Sequence, residues 1–192
     1  MPRPSLRDQL LAAGLEVLHQ KGYNATSVQD ITDTAGAPKG SFYNHFESKE
    51  ALALEALRLY VEKRKARREV LRDTKLPPLR RLRKYFEGLT QAAIDAGFSA
   101  GCLVGNFSAE LSPQSTLIRK RVGEALLAWS EAIAVVIGEA QRAGAISADE
   151  SPKALAAFVI DAWEGAMLRA KVVKDRAPLD RFLDVTFTRI LA

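Results

Sequence analysis

The segment Lys39-Gly40-Ser41-Phe42-Tyr43-Asn44-His45-Phe46 sets polar side chains beside two phenylalanines spaced i, i+4. At helical spacing Phe42 and Phe46 form an inward anchor, which leaves Lys39, Gly40, Ser41, Tyr43, Asn44 and His45 as an outward surface. Such a surface suits contact with a nucleic acid. Gly40 lets the backbone come close to phosphate, and the Asn44 amide is the type that pairs with adenine N6 and N7. Two of these residues have a plainer alternative: Tyr43 as a packing residue and His45 as a helix-terminal cap. Ser27, at an expected helix N-terminus, offers a hydroxyl and orphan N–H groups to a phosphate. Lys49, at the start of the next long helix, offers charge.

A different chemistry gathers around Cys102. It follows the loop Phe98-Ser99-Ala100-Gly101 and opens a short predicted helix. A helix N-terminus favours thiolate, and a nearby lysine would favour it further. Lys171 and Lys174 qualify if the penultimate helix packs over that loop. A reachable thiolate reacts with electrophiles and oxidants to give an adduct or a sulfenic acid. The alternative is a small buried hydrophobe, the usual role of a lone cysteine. A non-covalent pocket involving Phe86, Phe98, Trp129, Trp163 or Met167 is the competing sensor, and each of these also fits a core position. The Asn106 amide serves either an inner hydrogen bond or a ligand.

The rest of the composition narrows the classes. The single cysteine excludes an intrachain disulfide and a cysteine-rich metal site, and His19 and His45 are the only imidazoles. No nucleophile–base–orienter set, metal-ligand spacing or glycine-rich phosphate loop is present, so an enzyme, a metal and a cofactor are not expected. The 192 residues are 47% hydrophobic and 27% charged, as in a globular protein with a substantial core. A net charge of +5 makes a polyanion partner plausible. No apolar run is long enough for a membrane span. Met1-Pro2-Arg3-Pro4-Ser5 lacks the apolar stretch of a secretory signal, so a cytoplasmic location is expected.

The elements that must position these residues are helical. Leu11, Leu15 and Leu18 recur at i, i+4 and i+7, opened by the capping box Ser5–Asp8 and closed by Gly22. Thr26 or Ser27 caps a short helix with Val28, Ile31 and Ala35 on one face. Gly36 follows, and Pro38 fits the first turn of the helix carrying Lys39 to His45. A long helix is predicted over 49–72, with Leu52, Ala56 and Leu59 on one side. After the Pro77-Pro78 break come helices over 79–96, 102–111, 115–143, 152–174 and 178–191. The fold class is all-α with about nine helices: a small N-terminal bundle at 1–48, a larger one at 49–192, and helix 49–72 connecting them.

Two short helices around a glycine turn form a helix-turn-helix pattern. Gly22-Tyr23-Asn24-Ala25-Thr26-Ser27-Val28, Ile31, Ala35-Gly36 and the run from Lys39 to Leu52 resemble the DNA-binding domain of TetR-family repressors over about the first fifty-five residues. The resemblance implies a homodimer on operator DNA, with DNA contacts by Ser27, Gln29, Lys39, Gly40, Ser41, Tyr43, Asn44, His45 and Lys49. Ala37-Pro38 departs from the family's frequent Val-Ser, which puts one phosphate contact in doubt. The stretch Gly101 to Leu111 is similar to a subgroup that includes repressors of electrophile- and aldehyde-detoxifying reductases and of acrylate metabolism. It implies a small effector, such as a reactive electrophile or a short unsaturated acid, acting near Cys102, Asn106 and Lys171.

The last two helices carry more apolar residues than one face needs, among them Leu155, Phe158, Val159, Leu179 and Phe187. A homodimer interface through residues 152–191 accounts for the excess; a thick monomer core is the alternative. The first fifty residues are close to charge-balanced, with Arg3, Arg7, Lys21, Lys39 and Lys49 against six carboxylates. The basic excess lies between Arg58 and Lys84, as a solvated helix face or a source of long-range attraction to the duplex. A non-specific DNA-binding protein is the rival to a repressor.

Overall fold

The computed structural model describes residues 4–192, so Arg3 and the two residues before it lie outside it. The described residues form helices and turns without strands. In order they are α1 (Leu6–Lys21), α2 (Val28–Ala35), a 3₁₀-helix (Lys39–Asn44), α3 (Lys49–Lys65), a second 3₁₀-helix (Ala66–Arg72), α4 (Pro78–Asp95), α5 (Leu103–Glu110), α6 (Thr116–Arg142), α7 (Pro152–Val173), α8 (Ala177–Val185) and a π-helical turn (Thr186–Ile190).

The ends form where the side chains dictate. The Ser5 hydroxyl accepts from the Asp8 N–H at 3.2 Å, and Gly22 ends α1 at φ 82°. Ser27 and Asp30 make a full capping box at the start of α2, and Gly36 takes the left-handed conformation that stops it. Ser151 caps α7 with Pro152 in the first turn.

Three elements differ from the regular helices expected. Helix 49–72 is α-helical only to Lys65 and tightens to 3₁₀ beyond it. The segment Lys39–Asn44 is 3₁₀: the Ser41 N–H and hydroxyl both bond the Pro38 carbonyl, at 2.9 and 2.6 Å, which closes the first turn at i→i+3 spacing. The terminal helix widens into a π-turn after Val185.

The chain forms two compact units. One comprises the residues up to Lys63 together with Cys102–Gly123; the other comprises Arg64–Gly101 and Glu124–Ala192. In the first, α1 packs on α2 and on α5, and Gly14 lies so close to Leu52 that a Cβ would collide with it. Leu10, Leu18, Ile31, Phe42 and Leu52 are fully buried there. The second unit is built around Phe86, whose ring lies 5.3 Å from Trp163 and 5.0 Å from Phe182. Arg81, from the basic run, is buried in this unit. It pairs with Glu139 and donates to the Leu71 carbonyl at 2.8 Å. Burying an arginine without such partners would be strongly unfavourable.

Candidate DNA-binding and sensing sites

Phe42 and Phe46 are buried with ring centroids 5.6 Å apart, and the 3₁₀-helix sits on them. Lys39, Gly40, Tyr43 and Asn44 are exposed on its outer side, and Ser41 and His45 are half-buried. Tyr43 is 60% exposed and touches Phe42 only edge-on. Its hydroxyl is therefore free to face a groove. Ser27 and Gln29 are exposed on α2, but each is already engaged: Ser27 with Asp30, and Gln29 with Asp33 at 2.6 Å.

Lys49 stands apart from this surface. Its ammonium donates to the carbonyls of Tyr23 at 3.0 Å and Thr26 at 2.7 Å, and lies 4.1 Å from the centre of the Tyr23 ring. Desolvation lowers its pKa, while Glu110 and Asp30 raise it in part. Lys49 thus closes the turn between α1 and α2. Glu110, at the end of α5, acts on the same turn. Its carboxylate accepts the Asn24 N–H at 2.8 Å and covers Gly22, where a Cβ would collide with it. Phe107 meets Tyr23 edge-on at 6.5 Å, and the Leu103 N–H donates to the Tyr60 hydroxyl at 3.1 Å. Glu110 and Tyr60 were not singled out from sequence. A contact across 86 positions leaves no periodic or motif signal.

Asp30 gives this turn a pH dependence. Hydrogen bonds from Lys21, at 2.6 Å, and from Ser27 hold its carboxyl well below the usual range. A depressed carboxyl pKa stabilises the fold above the unfolded value, about 3.9, and the benefit is lost as pH falls through the folded value. Asp30→Asn should therefore flatten the acid side of the melting temperature against pH, below about pH 5, and leave the neutral side parallel. Parallel acid limbs in the two proteins would refute the role.

The residues proposed for sensing divide between the units. Cys102 occupies the N-cap of α5 at 8% exposure, its carbonyl accepting from the Asn106 N–H at 2.9 Å; Asn106 is half-buried. Trp129, Trp163 and Met167 lie in the core of the second unit, and Phe98 packs against that core. Lys171 donates to the Ala100 carbonyl at 3.4 Å and Lys174 to that of Phe98 at 3.0 Å. The end of α7 therefore holds the loop that precedes Cys102 in the chain. Among the described residues, clefts of about 340, 390 and 470 Å³ open on the second unit, and Trp163, Met167 and Lys171 do not line these.

The sequence matches the family described as bacterial regulatory proteins, tetR family, over residues 10–56. It also matches the tetracyclin repressor-like C-terminal domain over residues 78–186. It is 42% identical over 192 residues to the HTH-type transcriptional repressor DhaR of Mycobacterium sp. (strain GP1), spanning 100% of this chain and 95% of that one. The crystal structure of a regulatory protein TetR from Rhodobacter sphaeroides superposes with a TM-score of 0.91 at 36% identity, over 98% of this chain and 100% of that one. That of the E. coli NemR reduced form gives a TM-score of 0.83 at 26% identity, over 97% and 98%.

Proposed function

The chain belongs to the TetR family of bacterial transcription regulators, and from that premise we propose that it is a homodimeric repressor released from a pseudo-palindromic operator by a small effector or by modification of Cys102. The family consists of transcription regulators, not enzymes, with a DNA-binding and a ligand-binding domain. The observation that carries the reading is the exposed Lys39–Asn44 turn held on two buried phenylalanines. Residues 1–48 read DNA, residues 49–192 sense and dimerise, and α3 connects the two functions. Tyr43, Asn44 and His45 face base edges. Lys39, Gly40, Ser41, Ser27 and Gln29 face phosphate or groove edge, the hydroxyl of Ser27 first leaving Asp30. Lys49 acts on DNA through the turn it closes.

The dimer is supported by apolar side chains left in solvent on the last helices. Phe158, Leu168, Val172 and Val173 on α7 and Val185 on α8 are all exposed. A two-fold dimer buries such a face against its own copy and sets two half-sites about 34 Å apart or a multiple of that. Release requires an effector that prefers the non-binding state, because equal affinity for both states shifts nothing.

The thiol reading is supported by the N-cap position of Cys102 and by the lysines that hold the loop before it. The similar E. coli repressor was solved in a form called reduced. The test is operator binding at fixed salt by the wild type and Cys102→Ser, with and without a short α,β-unsaturated carbonyl. The expected result is that the wild type loses about tenfold or more in operator affinity and the serine variant keeps its own. Release of both proteins assigns the effector to a non-covalent site; release of neither removes electrophiles as effectors. A specific repressor also keeps a large preference for operator over random DNA as salt rises, whereas a non-specific binder does not.

A further inference from the structure

We infer that α7 selects its own copy by charge: two α7 helices cross antiparallel near Gly165, and Asp161 of each protomer pairs with the partner's Arg169. The inference rests on the proposed homodimer and names what fixes its register and its choice of partner.

Ala154, Phe158, Asp161, Gly165, Leu168 and Val172 follow one another along α7 at alternating steps of four and three, and all six are exposed. Such steps make one straight seam on a helix, the pattern by which one helix packs along another. Val159, Ile160, Trp163 and Met167 face the core of their own chain, so the seam is a second contact face of α7. A Cβ placed on Gly165, near the middle of the seam, would meet nothing within 4 Å. The missing side chain leaves room for another helix to come close.

An apolar seam ordinarily carries no charge. Asp161 lies in this one and Arg169 stands beside it, one turn beyond Gly165. Among the described residues neither makes a hydrogen bond or an ion pair. Eight positions separate them, about 12 Å along the axis, too far to pair within one chain. Covering the seam strips water from both, and a buried charge left unpaired is strongly unfavourable. The partner must therefore bring a cation to Asp161 and a carboxylate to Arg169.

A second copy does both in one of its two arrangements. Parallel packing sets each of these charges against its own like, which repels. Antiparallel packing about a two-fold axis near Gly165 sets each Asp161 against the partner's Arg169, because the two lie four positions on either side of that glycine. The same axis sets Phe158 against the partner's Val172, seven positions on either side, so charge and apolar contact agree on one register. A face with its charges in this order also rejects a related chain whose charges differ.

The test compares charge reversals in the full-length protein, without DNA, by sedimentation at fixed salt. Asp161→Arg and Arg169→Asp each set like charges together twice in their own dimers, and each should weaken its dimer about 10²-fold or more. Mixed in equal amounts, the two variants should pair with each other to within about tenfold of the wild type, since every such contact then joins opposite charges. The double reversal should likewise pair with itself. Both positions are exposed, so helix content by circular dichroism should stay that of the wild type. The milder Asp161→Asn and Arg169→Gln should weaken the dimer less than the reversals. A dimer of wild-type strength in either reversal would overturn the inference. Failure of both the mixture and the double reversal to recover would overturn it too, and would give Asp161 another partner, such as the exposed Arg181 or Arg189. A wild type that stays monomeric at micromolar concentration would remove the homodimer and the inference together, whereas a wild-type dimer indifferent to both reversals would remove the inference alone.

Discussion

Operator binding should fall by about 10²–10⁴-fold in Tyr43→Ala and in Lys39→Ala, with the dimer and the melting temperature unchanged. A base contact contributes about 1–3 kcal/mol, and in a two-fold dimer each side chain acts twice. Tyr43 is mostly exposed and leans on Phe42 only by its edge, so truncation takes little from the fold. Lys39 is exposed as well. The two losses should differ in kind. Tyr43→Ala should reduce the preference for operator over random DNA. Lys39→Ala should weaken both and reduce the salt dependence by about one ion per protomer. The pair is measured by titrating labelled operator at two salt concentrations. Unchanged binding by both variants, with the dimer intact, would dismiss the Lys39–Asn44 turn as the reading element.

Phe86→Ala should be the most damaging single truncation of the second unit. Phe86 is 0% exposed and meets Trp163 and Phe182 within 5.3 Å. Removing such a ring takes away its transfer free energy and leaves a cavity that neighbouring rings cannot fill, at about 3–5 kcal/mol. For a chain of this size that is roughly a 6–20 °C drop in the melting temperature. Phe86→Leu should recover most of it. The measurement is chemical or thermal unfolding of the three proteins, and a loss below about 1 kcal/mol for the alanine variant would mean that the core is not centred there. Because the two variants load different properties, Tyr43→Ala reports on DNA at constant stability and Phe86→Ala on stability alone.

The helices were legible because their periodicity and ends are local. Ser5, Gly22, Ser27, Gly36, Ser151 and Pro152 all act within four residues of where they sit. The exposed side of the Lys39–Asn44 segment was legible for the same reason, since Phe42 and Phe46 fix its orientation from inside one segment. What was not legible is what the surface side chains touch across the chain. Lys49 reads as a free cation in sequence, but its ammonium serves two carbonyls 23 and 26 positions away. Arg81 reads as one of a solvated basic run, yet Glu139 and the Leu71 carbonyl hold it in the core. Glu110 carries no mark of its part in the α1–α2 turn. The 3₁₀ form of the Lys39–Asn44 segment goes with the bonds that the Ser41 N–H and hydroxyl make to the Pro38 carbonyl, which periodicity does not weigh.

The α1–α2 turn has a bearing on how this protein can change. Its geometry is held from outside its own stretch of chain, by Glu110 over Gly22 and Asn24 and by Phe107 against Tyr23. A head transplanted from a relative by a crossover near residue 48 would meet a foreign α5, and a head exported from this chain would leave its clamp behind. The geometry of this turn is therefore not a detachable cassette. It is kept intact only when residues 22–24 and 107–110 travel together, so an exchanged head must be reconciled with these two short tracts.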